Sequence, residues 1–166
     1  MFSRTVPHKT GCARVRVVRY PAPAGEAHMT IPRAIGQATV LVCTTCGAAG
    51  AAAGALPAGL LLARRTAAAS AHAAADVRVE GVRCLANCSR GPSAAIRCDG
   101  AWTYIFGQLD ESRDGPALVA GARLLAVAAD GLLPWRGRPE VLKRTVIARL
   151  PPAGIAGDAV EPEPRD

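Results

Sequence analysis

The sequence predicts an open α/β sheet with the element order β-α-β-β-β-α. Three observations predict it. Two short β-type runs each end at a pair of cysteines, a long helix-forming stretch separates them, and a two-residue turn signal then joins two further strands. A strand-helix-strand unit makes its strands parallel, with a right-handed crossover, and the hairpin then adds antiparallel strands.

The first strand is the apolar, β-branched run Ala38-Thr39-Val40-Leu41-Val42, which reads as buried and runs straight into Cys43-Thr44-Thr45-Cys46-Gly47. Residues 56–75 are dominated by Ala, Leu and Arg, the best helix formers, with Leu56, Leu60, Ala63, Ala67 and Ala74 as the expected apolar face. Residues 76–82 alternate Val77 and Val79 with Arg78 and Glu80, the period-2 pattern of a strand, and lead into Cys84-Leu85-Ala86-Asn87-Cys88. Ser89-Arg90-Gly91-Pro92 is a turn cluster. A strand over 94–98, the Asp99-Gly100 hairpin turn and a strand over 102–106 follow, with Trp102, Tyr104 and Phe106 on one face. Asp114 and Pro116 open a helix running to about Ala129, and Gly131 stops it. Residues 140–150 read as a short helix or a strand.

The chain divides into three parts. Residues 1–36, with four prolines and no sustained period, read as a basic, disordered leader or a mis-called start, Met29 being an alternative start. Residues 37–150 are the organised domain, and 151–166 a flexible acidic tail. Six Lys/Arg against Glu26 give the leader +5, thirteen against eight give the domain +5, and the tail carries −3. The domain's cations are scattered along the sequence, so basic charge alone does not indicate a nucleic-acid binder. The richness in Ala, Gly, Arg and Pro matches a GC-rich coding bias and is set aside as a functional signal. No stretch reaches the roughly 18 consecutive apolar residues of a membrane span, and no apolar segment of a secretory signal follows the basic start. The expectation is a cytoplasmic protein that binds neither membrane nor nucleic acid. Its cysteines are then reduced unless they hold metal or do redox chemistry.

Cys43, Cys46, Cys84 and Cys88 are the candidate site. They form C-x2-C and C-x3-C with thirty-seven residues between the two, and both pairs stand where a predicted strand ends. Ligands of α/β sheets bind outside the carboxyl ends of the strands, so two parallel neighbours bring both loops together. Four thiolates suit soft or borderline centres: iron–sulfur clusters, zinc or copper(I). Zinc ribbons favour C-x2-C twice, whereas a [2Fe-2S] cluster takes two thiolates per iron, so the wider second spacing favours the cluster and leaves zinc as the alternative. Arg83 and Arg90 are expected to offset thiolate charge, and Gly47, Asn87, Ser89 and Gly91 to supply donors to sulfur. Four unrelated buried thiols, and a thioredoxin-type redox C-x2-C, are the competing readings. The second wants a helix starting at its first cysteine, and here Gly47, Gly50 and Pro57 delay the helix.

The segment Arg83-Cys84-Leu85-Ala86-Asn87-Cys88-Ser89-Arg90-Gly91-Pro92 resembles the second cysteine loop of thioredoxin-like [2Fe-2S] ferredoxins, and the strand order matches that fold. Taken with Leu41-Val42-Cys43-Thr44-Thr45-Cys46, Trp102-Thr103-Tyr104-Ile105-Phe106-Gly107 and Gly131-Leu132-Leu133-Pro134-Trp135-Arg136, it resembles the DUF1636 family of predicted metal-binding proteins over about residues 38–152. The resemblance implies a small thioredoxin-like domain with a cysteine-bound metal centre, and a link to cobalamin biosynthesis. Many relatives carry a further cysteine just after the second pair, where this chain has Gly91-Pro92-Ser93. Cys98, the nearest replacement, reads as an inert buried thiol.

The expected partner is a redox or metal-handling protein, with a homodimer left open. No catalytic acid–base or nucleophile–base arrangement is visible, so no substrate is assigned. Cys12, His8 and His28 fall in the leader, and His72 reads as a helix-surface residue. The aromatic stripe reads as hairpin core packing, and Trp135 as a plug at the domain's end. Arg136 and Arg138 read as solvated surface, with a docking patch as the alternative.

Overall fold

The computed structural model describes residues 36–47, 54–72 and 76–155. The leader's residues 1–35 and the tail's 156–166 lie outside the described residues, together with Cys12, His8, His28, Met29 and Ala74.

Five strands, β1 (Thr39–Cys43), β2 (Arg78–Val82), β3 (Ala94–Arg97), β4 (Thr103–Phe106) and β5 (Val146–Leu150), form one sheet in the order β2-β1-β3-β4-β5. β1 and β2 are parallel, with Cys43 level with Val82, and the other neighbours are antiparallel. The helices are α1 (Ala58–His72), α2 (Gly115–Ala126) and the short α3 (Glu140–Arg144), and a 3-10 turn spans Cys88–Arg90. This is the β-α-β followed by β-β-α of the thioredoxin-like reading, extended by α3 and a fifth strand. Residues 140–150 are therefore helix and strand in succession. The Thr145 hydroxyl donates to the Val141 carbonyl at 2.8 Å and closes the last turn, after which β-branched Val146 and Ile147 enter the sheet.

Side chains that face each other across the sheet build its core. Val40, Ile96 and Tyr104 form one row, and Val42, Ala94 and Phe106 another, all buried. Tyr104 and Phe106 stack at 6.4 Å, and Leu118, Ala122, Leu125 and Leu142 complete the core cluster. The aromatic stripe is thus core packing, with Trp102 packed against its margin. The Asp99-Gly100 turn forms as expected, Gly100 taking φ +72°.

α1 forms, but with a different buried face. Leu56 precedes the helix and is 49% exposed, whereas Leu62, Ala63, Thr66 and Ser70 point inward. The two hydroxyls tolerate burial because each is satisfied: Thr66 donates to the Leu62 carbonyl at 2.8 Å and Ser70 to the Val77 carbonyl at 2.6 Å. Asp114 stands at the head of α2, though its carboxylate accepts the Asp110 amide at 2.8 Å rather than capping its own helix. The exposed ion pair of Arg123 with Asp76 links α2 to the start of β2. Among the described residues no helix is long and apolar enough to cross a membrane.

Candidate metal centre

The parallel pairing of β1 with β2 sets the site. Just past their carboxyl ends, Thr44 donates through both its amide and its hydroxyl to the Val82 carbonyl, at 2.8 and 3.0 Å, and the Thr45 hydroxyl donates to the Arg83 carbonyl. The Cys43 amide donates to the Ser93 carbonyl at 3.0 Å. The C-x2-C loop is thereby tied to the second cysteine segment on one side and to the start of β3 on the other. From below, the first turn of α1 closes on it: the Gly59 amide donates to the Cys46 carbonyl at 2.9 Å. The helix starts twelve residues after Cys46, as the intervening glycines and Pro57 predict, so the C-x2-C does not open it.

The four thiols stand as two pairs of unlike character. Cys43 and Cys46 are buried, at 1% and 4% exposure, and each acts on the other's ionisation. Cys84 and Cys88 are exposed, and Cys84 acts on the ionisation of Cys88. The pairs are near enough for the charge of Cys43 to act on Cys88. Among the described residues no group of three or more His, Cys, Asp or Glu side chains is drawn together around a single ion.

Electrostatics separates the members of each pair. Burial pushes the Cys43 thiol up, but hydrogen bonds from Cys46, from Thr45 and from the Leu85 amide outweigh it and bring the pKa down to about 7. Burial, reinforced by the neighbouring Cys43, pushes Cys46 up to about 11, against opposing bonds from the Ser93 amide and hydroxyl. Cys88 is raised, first by its bond with Cys84 and then by that neighbour's charge. One thiol of the buried pair thus ionises first and shares its partner's proton.

The donors around sulfur differ from those expected. Asn87 does not reach a thiol; its amide donates to the Ser93 hydroxyl at 2.8 Å, and Ser93 in turn bonds to Cys46. The Leu85 amide reaches Cys43 across the site, and the Ala86 amide reaches Cys84 at 3.2 Å from a left-handed backbone, φ +56°. Gly91 serves by close approach: a Cβ there would lie 3.0 Å from the Cys46 sulfur. The Gly91–Pro92 peptide is cis. Arg83 and Arg90 are exposed.

Ser93, Thr45 and the two amides are the residues that sequence reasoning missed. The one local signal was a serine directly before a buried strand.

Elsewhere, Cys98 is buried at 6% exposure, with its thiol donating to the Gly36 carbonyl at 3.3 Å, and burial raises its pKa. It lies apart from the four. His72 is exposed, its Nδ1 2.7 Å from the Ala68 carbonyl. Trp135 does not plug the domain. It is 65% exposed, because Leu133 fills the position beneath the loop, its amide donating to the Tyr104 hydroxyl at 3.0 Å. Arg138 is not free surface, since it donates to the carbonyls of Leu133 and Pro134 and braces the loop.

Among solved structures, the chain is similar to a thioredoxin-like [2Fe-2S] ferredoxin from Aquifex aeolicus. Identity is 17%, the match covers 72% of this chain and 97% of the other, and the TM-score is 0.44. No curated protein matches. The family model described as "Protein of unknown function (DUF1636)" matches residues 40–152, which take in all four cysteines, every strand from β2 to β5 and all but the first residue of β1, so the chain belongs to the DUF1636 family.

Proposed function

We propose that this protein holds a thiophilic metal centre, a [2Fe-2S] cluster, on Cys43, Cys46, Cys84 and Cys88, and serves as an electron carrier or as a cluster- or metal-handling accessory protein. The observation that carries the reading is the seating of both cysteine pairs at and just past the carboxyl ends of adjacent parallel strands, with Cys43, the last residue of β1, level with Val82. The donor set fits such a group: four soft thiols, amides of Leu85 and Ala86 at sulfur, and the Ser93 hydroxyl beside Cys46. Their grouping as one buried pair and one exposed pair suits a two-iron cluster, which takes one pair per iron, over a single zinc ion. When bound, the cluster would supply one-electron exchange. The chain's own part is to hold the inner pair away from water and to leave the outer pair at the surface.

A thiol–disulfide oxidoreductase has one observation in its favour, the lowered pKa of Cys43 beside Cys46. Against it, both thiols are almost fully buried, whereas reactive thiols are partly exposed.

Anaerobically purified protein is expected to be reddish-brown and to contain about two irons and two sulfides per chain. Cys84→Ser or Cys88→Ser should remove the colour, while Cys98→Ser should keep it. A colourless protein with one stoichiometric zinc would overturn the cluster, and reversible dithiol oxidation without metal would favour the oxidoreductase. A finer expectation concerns Ser93→Ala. Losing the hydroxyl at Cys46 should lower the midpoint potential by about 40 mV, the one-electron equivalent of a hydrogen bond worth about 1 kcal/mol. Redox titration of the visible bands checks it.

A further inference from the structure

A second surface lies beside the cysteine turn. Trp135, 65% exposed, has the Arg138 guanidinium 5.5 Å and the Lys143 ammonium 5.2 Å from its ring centre. These three residues, with Arg149 and Val146, line a groove of about 460 Å³. Val146 also lines a smaller hollow shared by Arg90, Gly107 and Arg144. The strip therefore runs from the 3-10 turn that contains Cys88 and Arg90, past the head of β5, to Arg149.

Its charge is unbalanced. Lys143 and Arg144 share Glu140, at 3.3 and 4.0 Å, and the one carboxylate lining the groove, Asp130, accepts the Leu132 amide at 2.9 Å. Arg90, Arg138 and Arg149 have no carboxylate partner among the described residues. Arg138, a guanidinium already disfavoured by burial, also feels the like charge of Arg149. An anion placed in the groove relieves that repulsion. The groove is open along its length beside β5, which among the described strands pairs with β4 alone, so its form suits a chain segment more than an enclosed small molecule. Exposed Trp flanked by Arg is the usual composition of a protein-binding hot spot. The carboxylate of Asp130 in the groove, and that of Glu140 paired with Lys143 and Arg144, count against nucleic acid.

We propose that this strip docks an acidic segment of a protein partner, with Trp135 as the apolar anchor and Arg138, Lys143 and Arg149 as counter-charges. That docking serves exchange at the cysteines rests on the function proposed above; the binding itself does not.

The test uses full-length protein and a fluorescein-labelled peptide alternating glutamate with leucine, followed by anisotropy. Saturable binding is expected, weakened by added salt and by about tenfold in the double variant Lys143→Gln/Arg149→Gln. Trp135→Ala should weaken it comparably, and thermal unfolding verifies that each variant is folded. The control Arg64→Gln/Arg78→Gln, on the exposed side of α1 and on the opposite edge strand β2, should bind as the parent does. No loss in the Lys143/Arg149 variant, or equal loss in the control, would overturn the proposal. So would tighter binding of a single-stranded oligonucleotide of equal charge, or tighter peptide binding once residues 156–166 are deleted, which would assign the strip to the chain's own acidic end. Self-association abolished by the double variant would assign it to a second copy and overturn it equally. Peptide binding by Cys84→Ser protein is expected to persist. A colourless preparation that binds the peptide therefore removes the metal reading alone, and a metal-loaded one that ignores the peptide removes the docking alone.

Discussion

Gly59→Ala is expected to unseat the inner cysteine pair. A Cβ on Gly59 would fall 1.9 Å from the Cys43 carbonyl oxygen, 3.1 Å from its carbon and 3.3 Å from the Cys46 Cβ. The first two are backbone atoms at the end of a central strand, so they have no rotamer through which to retreat. Helix propensity pulls the other way, since alanine is favoured over glycine by roughly 1 kcal/mol within a helix. The clash outweighs that gain: overpacking a tight contact costs about 1–3 kcal/mol, and here relief requires α1 to back away from the loop it supports. The Gly59–Cys46 hydrogen bond at 2.9 Å would go with it. Urea unfolding should show a lower midpoint, and metal content per folded chain should fall. An alanine variant at least as stable as the parent, with full metal content, would show that the helix does not approach the loop this closely.

Phe106→Ala is expected to produce the largest loss of stability. Phe106 is fully buried, stacks on Tyr104, and sits at the cysteine end of the sheet between Ala94 on β3 and Val146 on β5. Phenylalanine-to-alanine truncations in cores cost about 3–5 kcal/mol, and domain stabilities are about 5–15 kcal/mol. The variant should lose a large share of its folding free energy and unfold at markedly lower urea, whatever the metal content. Because Ala94 also faces Val42, the cavity would open one residue from Cys43. A change below about 1 kcal/mol would mean that the ring does not pack as described.

Much of this architecture was legible in the sequence because its signals are local. An apolar, β-branched run gave β1, the alternation of Val77 and Val79 with Arg78 and Glu80 gave β2, Asp99-Gly100 gave the hairpin, and the cysteine spacing gave the two pairs. What escaped was set by contacts between distant segments. Alanine occupies every side of α1, so hydrophobic periodicity has little contrast there, and Leu56, Leu60 and Ala67 suggested a face that the helix does not bury. Thr66 and Ser70 took the inward positions because their hydroxyls find carbonyls, which an apolar pattern does not register. The same blindness hid Ser93 and the Leu85 amide, whose bonds to sulfur exist only once β1, β2 and β3 lie side by side. Trp135 looked like a plug because aromatic residues usually are buried. Only the structure shows Leu133 beneath the loop and the indole outside it.

The strand order has one more consequence. Among the described strands, β2 hydrogen-bonds to β1 alone, whereas β1 is held on both sides. Cys84 and Cys88 thus hang from the rim of the sheet, and Cys43 and Cys46 are rooted in its middle. Rims fray at a fraction of the global unfolding free energy. The site is thus lopsided: its outer thiols stand at that rim open to solvent, and its inner ones sit behind it, shielded by the body of the sheet.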